Sequence, residues 1–484
     1  MNRSIGRVAT VLLVLFGALF VNLNVITLIQ ADDLANHPAN RRLIVREYEL
    51  PRGPIVVGEE AIASSVPTDG TLRYLRTYPE GTRYAHLTGY YSLVLQRSGL
   101  ERSLNEELTG RPTEVVAQNL GDLLGGANRP GNAVHLTIDG EIQAAAEAAL
   151  DGREGAIVVI DPRTGAVLAS YANPTFDPNP LSSHDHSEIR DAWDGLRDAD
   201  DNPMLDRATS ELYPPGSTFK LIVAAAALER GEAPDSLYPD EEVYDVPQTS
   251  ADIGNFGGGT CGSEETISLA DSFRVSCNTV FARLGVELGD EDLIRQAERF
   301  GFNRDLPYDL PTATSQIPQE LDTPATAQSA LGQRDVRATP LHFALVAASV
   351  ANGGELLRPH VVANVRSPDG QVVRGPEDGP WSGFGNDARP ISARTAEQLR
   401  QMMLDTVQSG TGQAAQIDGV EVGGKTGTAE ADLGPVAWFV GFAGDDAAIA
   451  VVVPTEDDGA TGGGLAAPIA RQVLEVAVDR VGGG

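Results

Sequence analysis

Pro214-Pro-Gly-Ser-Thr-Phe-Lys220, followed by the apolar run Leu221–Leu228, is the stretch on which this chain turns. Two prolines and a glycine ahead of an alanine-rich run mark the start of a helix, with Ser217 in its first turn. Residues three apart share a helix face, so the Ser217 hydroxyl and the Lys220 amine are expected side by side. A serine hydroxyl is a poor nucleophile until a neighbour takes its proton. A buried lysine can lose its charge near neutral pH and act as that base, whereas arginine, with a pKa above about 12, cannot. Ser-x-x-Lys arises by chance on many helices, so the rest of the chain decides whether this one is chemical.

The lysines decide first. Of 36 Lys plus Arg residues, only Lys220 and Lys425 are lysine. Arginine stands wherever a charge alone is enough, which makes these two amines the places to expect amine chemistry. Lys425 opens Lys425-Thr-Gly-Thr428, just before the apolar run Ala437–Phe442. It supplies a cation, the hydroxyls of Thr426 and Thr428 can bind a carboxylate, and Gly427 allows close backbone approach. An extended peptide could pair with a strand edge there. Between the two lysines, 59 residues after Ser217, comes Ser276-Cys277-Asn278, in a helical-looking stretch from Leu269 to Leu288. The Ser276 hydroxyl can relay a proton, and the Asn278 amide offers a peptide both a donor and an acceptor.

Around this centre the pattern is that of an α/β (α+β) fold. Ala156–Ile160 and Ala166–Tyr171 flank Asp161-Pro-Arg-Thr-Gly165, and Ala437–Phe442 and Ala447–Val453 flank Gly444-Asp-Asp446. Both read as hairpins. With helical stretches at Ala144–Leu150 and Ala467–Val478, they predict an antiparallel sheet flanked by helices, not a parallel doubly wound one. Ala172–Pro203 reads as a surface loop. The His184-Asp185-His186 within it offers two ligands with no evident third, so it reads as solvated, and neither metal nor cofactor is expected. The domain division is 1–30, a cytoplasmic tail and anchor; 31–132, a small N-terminal non-catalytic region of dimerisation or pedestal type, opening on a polar connector at 31–42; and 133–484, catalytic.

Val8–Ile29 holds 22 positions without a charge, roughly 33 Å as a helix and enough to span a bilayer. Arg3 and Arg7 precede it and Asp32 and Asp33 follow, so a retained single-pass anchor would leave the catalytic region outside the cell membrane. The competing reading is a cleaved signal peptide, against which the run is long and lacks a clean small-x-small site. An oxidising compartment permits a disulfide between Cys261 and Cys277; a small buried thiol at Cys277 is the alternative. The formal net charge of −32 argues against nucleic acid as a partner. An acid-rich genome or a saline habitat accounts for that charge as well as any function does.

The three motifs in this order resemble those of the penicillin-binding protein and serine β-lactamase superfamily: Ser-x-x-Lys, Ser-x-Asn and Lys-Thr-Gly. Both lysines of the chain fall on the two lysine positions of that set. Arg52-Gly-Pro-Ile55, Gly99-Leu-Glu101, Gly332–Leu341, Ala351-Asn-Gly-Gly354 and Trp438–Phe442 look like stretches of class B penicillin-binding proteins. The compact N-terminal region looks most like the actinobacterial penicillin-binding protein A type. The resemblance implies a peptidoglycan D,D-transpeptidase with Ser217 as nucleophile, Lys220 as base and Ser276 as proton relay. It implies that Asn278, Lys425, Thr426, Gly427 and Thr428 bind substrate, and that the N–H groups of Ser217 and Thr428 form an oxyanion hole. Stem peptides would be the substrates and β-lactams the inhibitors. With no room for a glycosyltransferase domain, a membrane glycosyltransferase and division or elongation proteins would be the partners. One departure is Gly332-Gln-Arg334, where relatives often carry Gly-Gln-Gly.

Rival readings fail on context. Gly419-Val-Glu-Val-Gly-Gly-Lys425-Thr426 matches the phosphate-loop pattern, but a helix should follow and Gly427, Gly434 and Pro435 make a poor one. Glu101-Arg-Ser-Leu-Asn105 has the form of the deacylating segment of class A β-lactamases, yet it precedes the nucleophile instead of following the second motif. A β-lactam sensor would need a cytoplasmic portion larger than the six residues before Arg7. A D,D-carboxypeptidase of the same fold and a cell-wall scaffold remain the alternatives.

Overall fold

The computed structural model describes residues 2–25, 47–110, 130–381, 389–431 and 434–482; the expected connector at 31–42 and the end of the 8–29 run lie outside them. Strands are numbered β1 (Ile55–Val57), β2 (Glu60–Pro67), β3 (Tyr74–Thr77), β4 (Ala133–Leu136), β5 (Gly155–Ile160), β6 (Val167–Asn173), β7 (Val362–Arg366), β8 (Val372–Arg374), β9 (Val422–Ala431), β10 (Gly434–Ala443) and β11 (Ala447–Pro454). The helices that matter below are α1 (Asn2–Asn24), α2 (Gly140–Leu150), α3 (His186–Arg197), α4 (Lys220–Arg230), α5 (Leu269–Arg274), α6 (Asn278–Leu288), α7 (Pro340–Ala351), α8 (Ala393–Ser409) and α9 (Ala467–Gly482).

Both expected hairpins form. They join edge to edge into a five-stranded sheet, β9-β10-β11-β5-β6, antiparallel throughout. Side chains alternate across a strand, and here each face has its own helical layer. Ile157 and Val159 of β5 pack with Ile142 and Leu150 of α2 and Val473 and Leu474 of α9. Val158 and Ile160 face the opposite way, with Phe343 and Val346 of α7 and Leu399 of α8. Burial on both faces explains why β5 is apolar at every position instead of alternating. α7 is apolar around its whole circumference because all twelve of its residues are buried.

A second, six-stranded sheet runs β8-β7-β4-β1-β2-β3 and draws strands from both sides of residue 132. β4 lies parallel to β1 and antiparallel to β7. Beside it Glu101 is fully buried between Arg52 and Arg76, bonded to the first and 2.6 Å from Nε of the second. Burial alone would raise its carboxyl pKa, but Arg76 and Arg52 outweigh that and hold it below the usual range. Arg52 also donates to Asn105 Oδ1 at 2.8 Å. The Glu101–Asn105 stretch that mimics a β-lactamase segment is thus an ion-paired brace.

Two sequence expectations need correction. Ala172–Pro203 is no plain loop: it contains a short 3-10 turn at Pro180–Ser182 and the helix α3. α3 escapes notice because, of its twelve residues, only Ile189 is buried. Asp185 caps it by accepting from Ser187 N–H, and His184 Nε2 bonds the Tyr74 carbonyl at 3.1 Å, so neither residue is poised as a metal ligand. The stretch 269–288 is not one helix but two, α5 and α6, broken at Ser276. α1 is long and apolar enough to cross a membrane.

Candidate active site

Ser217 sits in a 3-10 turn, Gly216–Phe219, that runs straight into α4. The turn is pinned from three sides. Trp438 Nε1 donates to the Pro214 carbonyl (3.0 Å), Gly216 N–H donates to Gly332 O (2.9 Å), and Thr218 Oγ1 donates to Pro215 O (2.7 Å). β9 presses against it. A Cβ on Gly216, whose φ is +53°, would lie 2.7 Å from Thr428 O, and one on Gly427 would lie 2.8 Å from Pro215 O. Both glycines are therefore required for strand and turn to touch. Ser217 is half-buried among buried neighbours, and its hydroxyl makes no hydrogen bond among the described residues.

Lys220 follows directly as the first residue of α4. Its Nζ donates to the Ser276 carbonyl and to Asn278 Oδ1, both at 2.8 Å, and lies 3.4 Å from Ser276 Oγ. Lys425 Nζ approaches from the other side, 2.9 Å from Ser276 Oγ and 3.1 Å from Thr426 O. One hydroxyl is thus held between two amines. Both lysines are fully buried, with the rings of Phe281 and Phe273 about 5.4 and 5.5 Å from their nitrogens. Burial, and then the second cation nearby, push the Lys220 pKa far below its ordinary value. Burial alone brings Lys425 down to about 7. No carboxylate offsets either effect in the contacts of these amines, so neutral amine is favoured at Lys220 while Lys425 populates both forms near neutral pH.

Ser276 adopts φ +64°, a left-handed conformation that costs a non-glycine residue about 1 kcal/mol or more. Two contacts that reach in from outside the motif hold it. Asn255, on the loop after strand 252–254, accepts from the N–H groups of Asn278 (3.0 Å) and Thr279 (3.1 Å) and so caps α6. Its Nδ2 donates to Glu241 O and Gly259 O, both at 3.0 Å. Cys261 and Cys277 are disulfide-bonded, with Asp240 accepting from the N–H groups of Cys261 and Gly262. With both sulfurs spent in that bond, the Asp240 cluster is not a metal site. Nothing in the sequence marked Asn255, because the residues it caps, Asn278 and Thr279, lie more than twenty positions away. Thr411 was missed too, since its partner Thr426 lies fifteen residues on. Its hydroxyl lies 2.6 Å from that of Thr426.

Ser217, Ser276, Asn278, Thr426 and Thr428 line one cleft of about 600 Å³, with Phe256 and Glu430 at its walls. Lys220, Lys425 and Gly427 lie behind that wall. Asn278 presents its Oδ1 to Lys220 and its Nδ2 to Gly254 O (3.2 Å), so in this state its amide serves the lysine. Thr428 Oγ1 accepts from Gly462 N–H at 3.1 Å. β9 is the edge of its sheet and stands open to pairing. Residues 422–431 are strand, so no phosphate loop exists here. A hydroxyl in an open cleft, backed by a hydroxyl held between two low-pKa amines, is equipped for acyl transfer.

Two family profiles match the chain: penicillin binding protein transpeptidase domain over residues 155–475, and penicillin binding protein A dimerisation domain over 52–134. The chain is 39% identical to the peptidoglycan D,D-transpeptidase PbpA of Mycolicibacterium smegmatis, and 36% identical to that of Mycobacterium tuberculosis, over 99% of both chains in each case. Its structure is similar to the ceftriaxone acyl-enzyme of penicillin-binding protein A from M. tuberculosis. The TM-score is 0.84 at 36% identity, covering 90% of this chain and all of that one. The arginine of Gly332-Gln-Arg334 takes φ +64°, so the loop keeps a conformation that a glycine would adopt freely.

Proposed function

The chain belongs to the penicillin-binding protein transpeptidase family, and from that premise we propose how its residues carry out peptidoglycan D,D-transpeptidation. Ser217 attacks the penultimate carbonyl of a stem peptide ending in D-Ala-D-Ala. Its proton passes to neutral Lys220, and Ser276, between Lys220 and Lys425, hands a proton on to the departing D-Ala nitrogen. The N–H groups of Ser217 and Thr428 receive the oxyanion, a contribution of about 3 kcal/mol per donor in comparable sites. Thr426, Thr428 and Lys425 hold the terminal carboxylate, Asn278 and Gly427 position the peptide beside edge strand β9, and an amine from a neighbouring strand resolves the ester. β-Lactams trap Ser217 by the same attack.

The observation that carries this reading is the Ser276 hydroxyl held 2.9 and 3.4 Å from two buried amines at the wall of the cleft that Ser217 lines. The Glu101 brace leaves no class A water-activating carboxylate at that position, which favours transfer over hydrolysis. We place α1 in the cell membrane, 31–132 as a non-catalytic region and 133–484 as the catalytic one. The catalytic region lies outside the membrane, beside a membrane glycosyltransferase of the division or elongation machinery. Fluorescent penicillin should label the wild-type chain and leave Ser217→Ala unlabelled; equal labelling of the two would remove Ser217 from the mechanism.

A further inference from the structure

Transpeptidation needs two peptides, and a single cleft at Ser217 accommodates the donor. A second cleft of about 570 Å³ lies at the end of β11, beside the start of β5, lined by Arg153, Glu154, Pro454, Asp457, Ala460 and Thr461 among others. Thr461 lines both clefts. The turn it begins is the partition between them: Thr461 Oγ1 accepts from Gly464 N–H, and the intervening Gly462 N–H donates to Thr428 Oγ1. The floor is fixed to the same hairpin, because Thr455 N–H donates to the carbonyl of Pro435, the residue paired with Glu430. The two clefts therefore rest on strands β9 and β11, both paired with β10.

Two of the charged residues that line these clefts are ion-paired and two are not. Arg153 is paired with Asp151, and Glu154 with buried Arg207. Asp457 in the second cleft and Glu430 in the first form no ion pair with any described residue. One carboxylate without an ion pair therefore stands in each cleft, with Thr461 lining both. Opposite charge concentrates a cationic group in such clefts.

We infer that this second cleft binds the acceptor: a peptide bearing a primary amine on a long side chain, its backbone in the cleft and its amine passing Thr461 toward the Ser217 ester. The inference rests on the transpeptidase reading above. In the step it serves, the neutral amine nitrogen attacks the acyl carbon and a C–N bond forms as the bond from that carbon to Ser217 Oγ breaks. The proton lost by nitrogen returns to Oγ through Ser276.

The test separates the two half-reactions in the full-length chain. A D-Ala-D-Ala pentapeptide serves as donor, with either a tetrapeptide carrying a lysine side chain or hydroxylamine as acceptor, and the ratio of transfer to hydrolysis is measured for each. Ala460→Trp, which fills the second cleft, should lower the ratio for the tetrapeptide about tenfold. Asp457→Asn, at an exposed site that folding tolerates, should lower it about twofold to fivefold. Penicillin acylation and the hydroxylamine ratio should stay within about twofold of wild type, since neither uses the cleft. An unchanged tetrapeptide ratio in both variants, or an equal fall with hydroxylamine, overturns the acceptor site. Loss of penicillin labelling in the unaltered chain would instead strike at the Ser217 assignment.

Discussion

Arginine fills nearly every cationic position of this chain, yet Lys220 and Lys425 stay lysine, and their surroundings explain it. Each amine is buried against a phenylalanine ring and serves one serine hydroxyl, a place for a base that can be neutral. Lys220→Arg keeps the charge and forfeits the base, so acylation by penicillin, followed as an intact-mass adduct, should slow about 10²–10⁴-fold. The pH dependence follows from the same depressed pKa values. Below the midpoint the amines are protonated and cannot accept the Ser217 proton. The acylation rate constant should therefore fall as pH drops, as the two coupled lysines take up protons, Lys425 at about 7 and Lys220 well below its ordinary value. A rate flat from pH 5 to 8 would contradict this. For stability the sign is that of a depressed base: between the lowered folded values (about 7 for Lys425) and the unfolded value near 10.4 the unfolded chain binds more protons, so stability rises with pH across that window.

Among the elements, the break between α5 and α6 matters most. It carries Ser276, Cys277 and Asn278, and local preference would have continued the helix through it. Asn255→Ala removes the cap on α6 and should cost about 1 kcal/mol of stability. It should also slow acylation while Lys220 and Lys425 remain intact; unchanged acylation kinetics would show that the cap does not hold Ser276 in place. The two hairpins were legible because continuous apolar runs flank Asp161–Gly165 and Gly444–Asp446. The three motifs that meet at the cleft were legible because lysine is so scarce. α3 was not, because a helix that buries only Ile189 carries little apolar signal. The Ser276 break was not, because it is imposed by Asn255 and by the bond from Cys261, contacts that no local window contains.

At the scale of the whole molecule, Glu101 joins parts that sequence would keep separate, with Arg52 and Arg76 gripping it in the dry interior of the N-terminal region. Glu101→Gln leaves two buried guanidiniums short of a countercharge and should cost about 3–5 kcal/mol, read as a fall in thermal midpoint. Penicillin labelling of the remaining folded chain should persist, because the cleft lies elsewhere. Loss of labelling without loss of stability would contradict this structural role. The depressed Glu101 carboxyl also sets a direction in pH. Its contribution is complete above the unfolded carboxyl value and disappears as acid protonates it. The six-stranded sheet sets a schedule for biosynthesis. β1 to β4 are made early, but the neighbours that complete them, β7 and β8, lie at 362–374. At about 5–20 residues per second the ribosome leaves the edge of β4 bare for on the order of tens of seconds. During that wait the newborn amino-terminal half depends on whatever shields it as it emerges.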